Sequence, residues 1–385
     1  MAESLRLIVA GGGTGGHVLA GIAIAEAWVK NPDGASAIQS SVEFIGAQGG
    51  IEERLVPQAG YRLHLLRLGS LNGVSASRKL KTLLQLPLAC FQAGVILLRR
   101  RSGCVIGVGG YSSGPVILMA RVLKTLRLYQ GTIAILEQNS IPGLTNRLLG
   151  RFADIIFLAF PGTEKHFPQG EVVLTGNPVR SSMRNLPSAS RDPFTIFVFG
   201  GSQGAFGMNT LVIESLPYFA DLAHRMKWIH QTGHNDYERV KKAYESAHIV
   251  ARVEKFIDQM PEAYGVASLL ICRAGSSTLS EIAAVGRAAI FVPLPTAADG
   301  HQEMNARVFA DAGAGFLVTQ GSTAGKDLAA KVIGLIQGVD EIDRVEKVVQ
   351  RFAMPGAAEN LVKALKNFGK RARALTEAGA SSDKI

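Results

Sequence analysis

Residues 5–18 read LRLIVAGGGTGGHV: an apolar run stops on five glycines in six positions, and a helical pattern follows. An apolar β-type run closed by glycine and followed by a helix is the opening of a βα unit. Glycine lets the backbone turn sharply and approach a ligand, while the N–H groups at a helix start face negative charge, so phosphate is the natural guest. A tight turn with no ligand accounts for two or three glycines better than for five. Gly11, Gly13 and Gly16 also spell the G-x-G-x-x-G dinucleotide fingerprint. Its acidic partner belongs at the end of the second strand, whereas Glu43 lies inside VEFIG at 42–46.

Outward from this turn the same alternation continues, with CVIGVG at 104–109 and TIAIL at 132–136, each followed by a helical stretch. Repeated βα units specify an α/β fold with parallel sheets. A second series follows: FTIFVFG at 194–200, KWIHQ at 227–231, SLLIC at 268–272 and AAIFVP at 288–293. It opens on its own turn, Gly200-Gly201-Ser202-Gln203-Gly204, where the Ser202 hydroxyl and nearby amides suit a diphosphate. Between the series, residues 175–193 carry three prolines and four serines and read as a linker. Two domains are expected, 1–180 and 181–355, with a last helix at 356–375 lying back on the first. Ligands of open α/β sheets sit at the carboxyl ends of strands, which places the expected site in a cleft between domains.

At 385 residues the chain exceeds one ordinary core, and 47% hydrophobic against 19% charged residues excludes a disordered chain. Three widely spaced cysteines fit neither a disulfide framework nor a zinc site and suit a reduced, cytoplasmic setting. The net charge of +10 is uneven: residues 54–136 hold twelve Lys and Arg and no Asp or Glu. Such a surface attracts anions, whether nucleic acid, phospholipid or substrate. Nucleic acid is disfavoured, since no recognised module appears and aromatics are only 7%.

Four later segments add candidates. Residues 107–115, GVGGYSSGP, and 273–281, RAGSSTLSE, follow strands and can open helices against anions. Within the second, Thr278 and Glu281 have capping-box spacing, while Glu281 is equally suited to accept both hydroxyls of a ribose. Glu137, Gln138 and Asn139 end a strand. His301, Gln302 and Asn305 follow another, with Gln302 and Asn305 sharing a helical face.

Taken together, VAGGGTGGHV, IEERLVPQAG, GVGGYSSGP, EQNSIPGLTN, TGNPVR, FGGSQGA, CRAGSSTLSE and HQEMNA occur in an order and spacing that closely resembles the MurG family. The resemblance implies a GT-B glycosyltransferase fold of two Rossmann-like domains. It also implies inverting transfer of N-acetylglucosamine from UDP-N-acetylglucosamine to the C4 hydroxyl of a lipid-linked diphospho-muramoylpentapeptide. Carried over to this chain, Thr14, Gly15, Gly16 and Asn139 lie near the transferred sugar and diphosphate. Arg180 and Ser202 contact the donor, and Ile257 meets the uracil through its backbone. Ser276, Ser277, Thr278, Leu279, Ser280 and Glu281 line the nucleotide, and Gln302 holds sugar hydroxyls. Ala20, Thr296 and Gly300 depart from the family pattern around the first helix and the donor loop.

Inverting transfer needs a base. An imidazole titrates near neutral pH, and His17, beside the glycine turn, serves either as that base or as a hydrogen-bonding group for the acceptor diphosphate. No D-x-D motif is present, so no cofactor or dedicated metal site is expected, with stimulation by Mg²⁺ left open. The acceptor being an anionic lipid, TLLQLPLACFQAGVILL at 82–98 is either a core helix or one partly on a membrane surface, with Arg78, Lys79, Lys81 and Arg99 to Arg101 drawn to anionic head groups. The expected location is the cytoplasmic face of the cell membrane, peripherally bound, beside other cell-wall synthesis proteins. Rival assignments are another GT-B enzyme, such as a lipid glycosyltransferase or a UDP-N-acetylglucosamine 2-epimerase, and a non-catalytic UDP-sugar sensor.

Overall fold

A computed structural model describes residues 6–30, 41–69, 76–100, 102–187, 189–201, 203–297, 300–321 and 324–382; the side chains of 76–81, 83 and 372–382 fall outside that description. The chain forms two compact units, residues 1–180 with 356–385, and residues 181–355.

Unit 1 contains, in order, β1 (Leu7–Ala10), α1 (Gly15–Lys30), β2 (Val42–Ala47), α2 (Glu52–Gln58), β3 (Arg62–Leu66), α3 (Ala76–Arg100), β4 (Cys104–Gly107), α4 (Ser113–Thr125), β5 (Thr132–Glu137), α5 (Leu144–Leu149), β6 (Ile155–Leu158) and β7 (Glu171–Leu174). Its parallel sheet has the order β3-β2-β1-β4-β5-β6-β7. β1, β4 and β5 are buried along their whole length, as expected of central strands covered on both faces.

Unit 2 runs β8 (Phe194–Phe199), α6 (Phe206–Ser215), β9 (Met226–Gln231), α7 (Tyr237–Ser246), β10 (Ala251–Glu254), α8 (Met260–Val266), β11 (Leu269–Cys272), α9 (Ser276–Val285), β12 (Ala289–Phe291), α10 (His301–Asp311), β13 (Phe316–Leu317), α11 (Ala324–Gln337) and α12 (Val339–Val349). Its parallel sheet is ordered β10-β9-β8-β11-β12-β13. The last helix, α13 (Ala357–Ser382), packs on α1 in unit 1, where Ala358, Leu361, Val362 and Leu365 join the core and Lys366 lies over the Trp28 ring.

Both sheets reverse direction at one place, between β1 and β4 and between β8 and β11. At such a switch point the loops leaving the two strands diverge and open a crevice at their carboxyl ends. The four small-residue turns singled out in the sequence leave these four strands.

The stretch 175–193, read as a linker, carries the passage between the units at Arg180 and is itself packed: Thr175, Asn177 and Met183 are buried, and Arg191 donates to Ser268 O and pairs with Asp343 and Glu346. The segment 82–98 of α3 is partly buried and partly exposed rather than a core helix throughout. Leu84, Leu88, Phe91 and Leu98 are exposed, Leu84 by 74% and Phe91 by 67%, while the buried side uses small residues, Ala89 and Ala93, with Leu97. The side chains of Leu80 and Leu83 lie outside those described.

Candidate functional site

In unit 1 the first three glycines of the turn are occupied structurally. Gly11 N–H donates to Ile45 O at 3.1 Å, Gly12 N–H to Gly109 O at 3.4 Å, and Gly13 N–H to the Glu52 carboxylate at 3.0 Å. Glu52, fully buried at the head of α2, also accepts from Ala47 N–H at 3.0 Å. A Cβ on Gly12 would overlap that carboxylate, so glycine there is a requirement of packing. The donors a helix leaves over at its start are therefore those of Thr14, Gly15 and Gly16, which narrows the anion site to the head of α1.

His17 stands in the first turn of α1. Its Nδ1 lies 3.0 Å from Thr14 Oγ1 and 3.3 Å from Gly12 O. A carbonyl only accepts, so the tautomer that satisfies Gly12 carries hydrogen on Nδ1 and a lone pair on Nε2. Nε2 faces Gly109, where a Cβ would sit 2.7 Å away; the absence of one gives the imidazole its room.

The Glu137-Gln138-Asn139 segment divides its labour. Glu137 is buried and accepts from Asn139 N–H and Nδ2, Asn146 Nδ2 and Gly143 N–H. Burial pushes its carboxyl up, and these hydrogen bonds oppose the rise. Gln138 is buried too and donates to Val108 O at 2.9 Å, tying the β5 loop to the β4 loop. Asn139, half-buried, is the member left at the surface. Arg180, half-buried, ends the unit.

Unit 2 gathers Ile257, Ser276 to Glu281 and Gln302 at the carboxyl ends of its strands; Ser202 lies outside the described residues. α9 starts at Ser276 with Gly275 as its N-cap. Thr278 therefore sits inside the helix and the capping-box reading of Thr278 and Glu281 fails. Glu281 is buried on the second turn and accepts from Tyr264 OH at 3.3 Å. Gln302 accepts from Leu294 N–H through Oε1 at 3.0 Å, whereas Asn305, its expected face partner, is fully buried and donates to Ala274 O at 3.4 Å. Arg273 is buried with Nη1 on Val292 O, Pro293 O and Gln320 Oε1, and burial lowers its pKa to about 10.

Beneath the Gly200–Gly204 turn lies a polar network that the sequence did not reveal. Asn209, on α6, donates to Thr232 O at 3.0 Å and Asp236 Oδ2 at 2.7 Å, so its Oδ1 faces His230 Nε2 at 3.1 Å as an acceptor. This fixes the His230 proton on Nε2 and leaves Nδ1 to accept from Tyr244 OH at 3.1 Å. Burial drives the His230 pKa down to about 3. Gln231, next along β9, is buried as well: Nε2 donates to Gly201 O at 2.9 Å and Oε1 accepts from Ile257 N–H at 2.8 Å.

The acid-free stretch is less cationic in three dimensions than in sequence. Arg121 and Lys124 both bind Asp154, and Arg100 binds Glu43, which also holds His64. Glu43 thus has a structural partner set at the start of β2, away from the end where a dinucleotide fingerprint needs its acid.

Models of the glycosyltransferase family 28 N-terminal and C-terminal domains match residues 7–158 and 195–361. The chain is 40% identical over 364 residues to the UDP-N-acetylglucosamine--N-acetylmuramyl-(pentapeptide) pyrophosphoryl-undecaprenol N-acetylglucosamine transferase of Geotalea uraniireducens (strain Rf4), covering 93% of this chain and 97% of that protein. The crystal structure of Acinetobacter baumannii MurG matches with a TM-score of 0.72 at 29% identity, over 94% of this chain and 99% of that one. A UDP-N-acetylglucosamine 2-epimerase from Neisseria meningitidis, solved with UDP-N-acetylglucosamine, matches with a TM-score of 0.64 over 94% and 100% of the chains; at 10% identity it speaks for the fold alone.

Proposed function

The chain belongs to glycosyltransferase family 28, and from that we propose that it transfers N-acetylglucosamine from UDP-N-acetylglucosamine to the C4 hydroxyl of undecaprenyl-diphospho-muramoylpentapeptide. The observation that carries this is the similarity to a transferase of that name across both units, 93% of the chain. It separates the protein from the epimerases, whose likeness stops at the fold.

The acceptor oxygen attacks C1 of the sugar from the face opposite the UDP, so the C1–O bond to the diphosphate breaks as the new glycosidic bond forms, with inversion. His17 Nε2 takes the hydroxyl proton; support comes from the tautomer that Gly12 O selects. Thr14, Gly15 and Gly16 offer N–H groups to the diphosphate and sugar, with Asn139 beside them. Negative charge on the departing UDP is met by Arg180, Ser202 and the start of α6, with the start of α9 facing the nucleotide. Glu281 accepts the ribose hydroxyls, Ile257 meets the uracil, the residues from Ser276 to Ser280 line the nucleotide and Gln302 holds the sugar. No cofactor is required, and turnover retained in excess chelator tests this.

The protein works at the cytoplasmic membrane surface. No helix among the described residues is long and apolar enough to cross a membrane. Support for surface contact is the outward apolar face of α3; Val122, Leu126, Leu128, Leu144 and Leu148, on and after α4 and on α5, are exposed as well. Anionic lipid is the expected partner, through the basic residues flanking that face.

The deciding assay supplies labelled UDP-N-acetylglucosamine and lipid-linked muramoylpentapeptide. Label is expected in the lipid product; label that stays water-soluble in a folded, UDP-binding preparation refutes the assignment and favours an epimerase or a sensor.

A further inference from the structure

The peptide unit that joins Gly12 to Gly13 is held at both ends. Its N–H donates to Glu52 Oε2 at 3.0 Å, and its carbonyl lies 3.3 Å from His17 Nδ1. In a trans peptide these two groups share one plane and point in opposite directions, so fixing the N–H fixes the carbonyl. The second oxygen of Glu52 takes the Ala47 N–H at 3.0 Å, which anchors the carboxylate to the end of β2. The side chain is fully buried, and a Cβ on Gly12, Gly46 or Gly50 would overlap it, so three backbone positions leave room for this one group. Thr14 Oγ1, 3.0 Å from the same ring nitrogen, cannot decide the tautomer, because a hydroxyl both donates and accepts. Gly12 O can, since a carbonyl only accepts.

We propose that Glu52 is a positioning residue for the transfer step: it acts through the Gly12–Gly13 peptide to hold His17 in the tautomer whose Nε2 can take the acceptor proton. The inference rests on the assignment of His17 as the base. In a Ser-His-Asp triad the carboxylate touches the imidazole and sets its tautomer directly; here one peptide unit stands between them. Hydrogen bonds linked in such a chain polarise one another, so the carboxylate also strengthens the Gly12 carbonyl as an acceptor. An amide does not replace it: glutamine offers one oxygen where two are used, and turns an NH₂ group on the other N–H.

The test compares the full-length parent, E52Q and H17A, each carrying ring-¹⁵N-labelled histidine, by NMR at about pH 8, above the ordinary histidine pKa, and by steady-state kinetics. The chain has eight histidines, and the ring signals missing from H17A belong to His17. In the parent, His17 should carry its hydrogen on Nδ1. E52Q should shift it toward the Nε2–H form, which an unconstrained imidazole favours, and lose about 10–10²-fold in kcat, with KM for UDP-N-acetylglucosamine within about threefold of the parent. A parent with the hydrogen on Nε2 overturns the proposal before any variant is compared, and decides the matter should E52Q not fold. An E52Q protein whose His17 tautomer is unchanged overturns it too, however much activity is lost, because that is the mark of a merely structural role. So does an unchanged kcat in E52Q beside an impaired H17A. Near-normal turnover of H17A breaks the base assignment itself, and the positioning role with it, whatever the spectra show.

Discussion

Lowering the pH from about 7.5 to about 5 should destabilise unit 2 through a single buried side chain, His230. Its imidazole is fully buried between Tyr244 OH and Asn209 Oδ1, and burial takes its pKa from 6.5 to about 3. Between those limits the unfolded chain binds a proton that the folded chain refuses. The contribution of this group is complete above about pH 6.5 and drains away as pH falls toward about 3. At 1.36 kcal/mol per pH unit the whole gap is worth about 5 kcal/mol, and the part lost by about pH 5 is about 2 kcal/mol. Asp236 does not confuse the measurement: burial raises its pKa, hydrogen bonds from Arg239 and Asn209 outweigh that, and the net lowering acts only below its ordinary 3.8. The chain has two tryptophans, Trp28 in unit 1 and Trp228 in unit 2. In a W28F background, Trp228 fluorescence, with its ring 5.7 Å from Tyr244, reports urea unfolding of unit 2. The parent should lose about 2 kcal/mol more than H230Q over the same pH drop. Equal losses in the two would refute the reasoning, whatever H230Q does to stability at neutral pH.

Three further outcomes follow from the proposed roles. H17A should lose about 10²–10⁴-fold in kcat and leave UDP affinity unchanged; near-normal turnover in a folded variant removes His17 as the base. E281A should raise KM for UDP-N-acetylglucosamine by about tenfold or more and erase the preference over a donor lacking the ribose 2′-hydroxyl, while a preference left intact means that the carboxylate does not read the ribose. L84D and F91D replace exposed side chains, so their melting temperatures should match the parent, yet binding to anionic vesicles should fall about tenfold each; unchanged binding places the membrane contact elsewhere.

The central strands were legible because burial on both faces leaves an uninterrupted apolar run, as in LIVA of β1 and FTIFVF of β8. The strands that the sequence concealed lie at or near the sheet edges. RLHLL of β3, EVVL of β7 and ARVE of β10 are half-exposed and carry charges, so no apolar run marks them. Among the site residues, Thr14 to His17 stood out through their glycines. Glu52 and Gln231 did not: each is a single polar residue whose partner lies far off in the chain, 39 residues away for Gly13 and 26 for Ile257. Glu281 was ambiguous because capping-box spacing exists in the sequence wherever the helix begins, and only the start of α9 at Ser276 separates the two roles.

The return of α13 to unit 1 bears on how the protein is made. The chain leaves unit 1 at Arg180 and rejoins it at Gly356. On a ribosome, the face of α1 that holds Trp28 waits uncovered while all of unit 2 is synthesised, and closes only when the residues around Lys366 emerge. Unit 2 has its whole sequence first, and unit 1 is sealed last, so a chain truncated before α13 would present a complete unit 2 on a molecule whose other unit is still open.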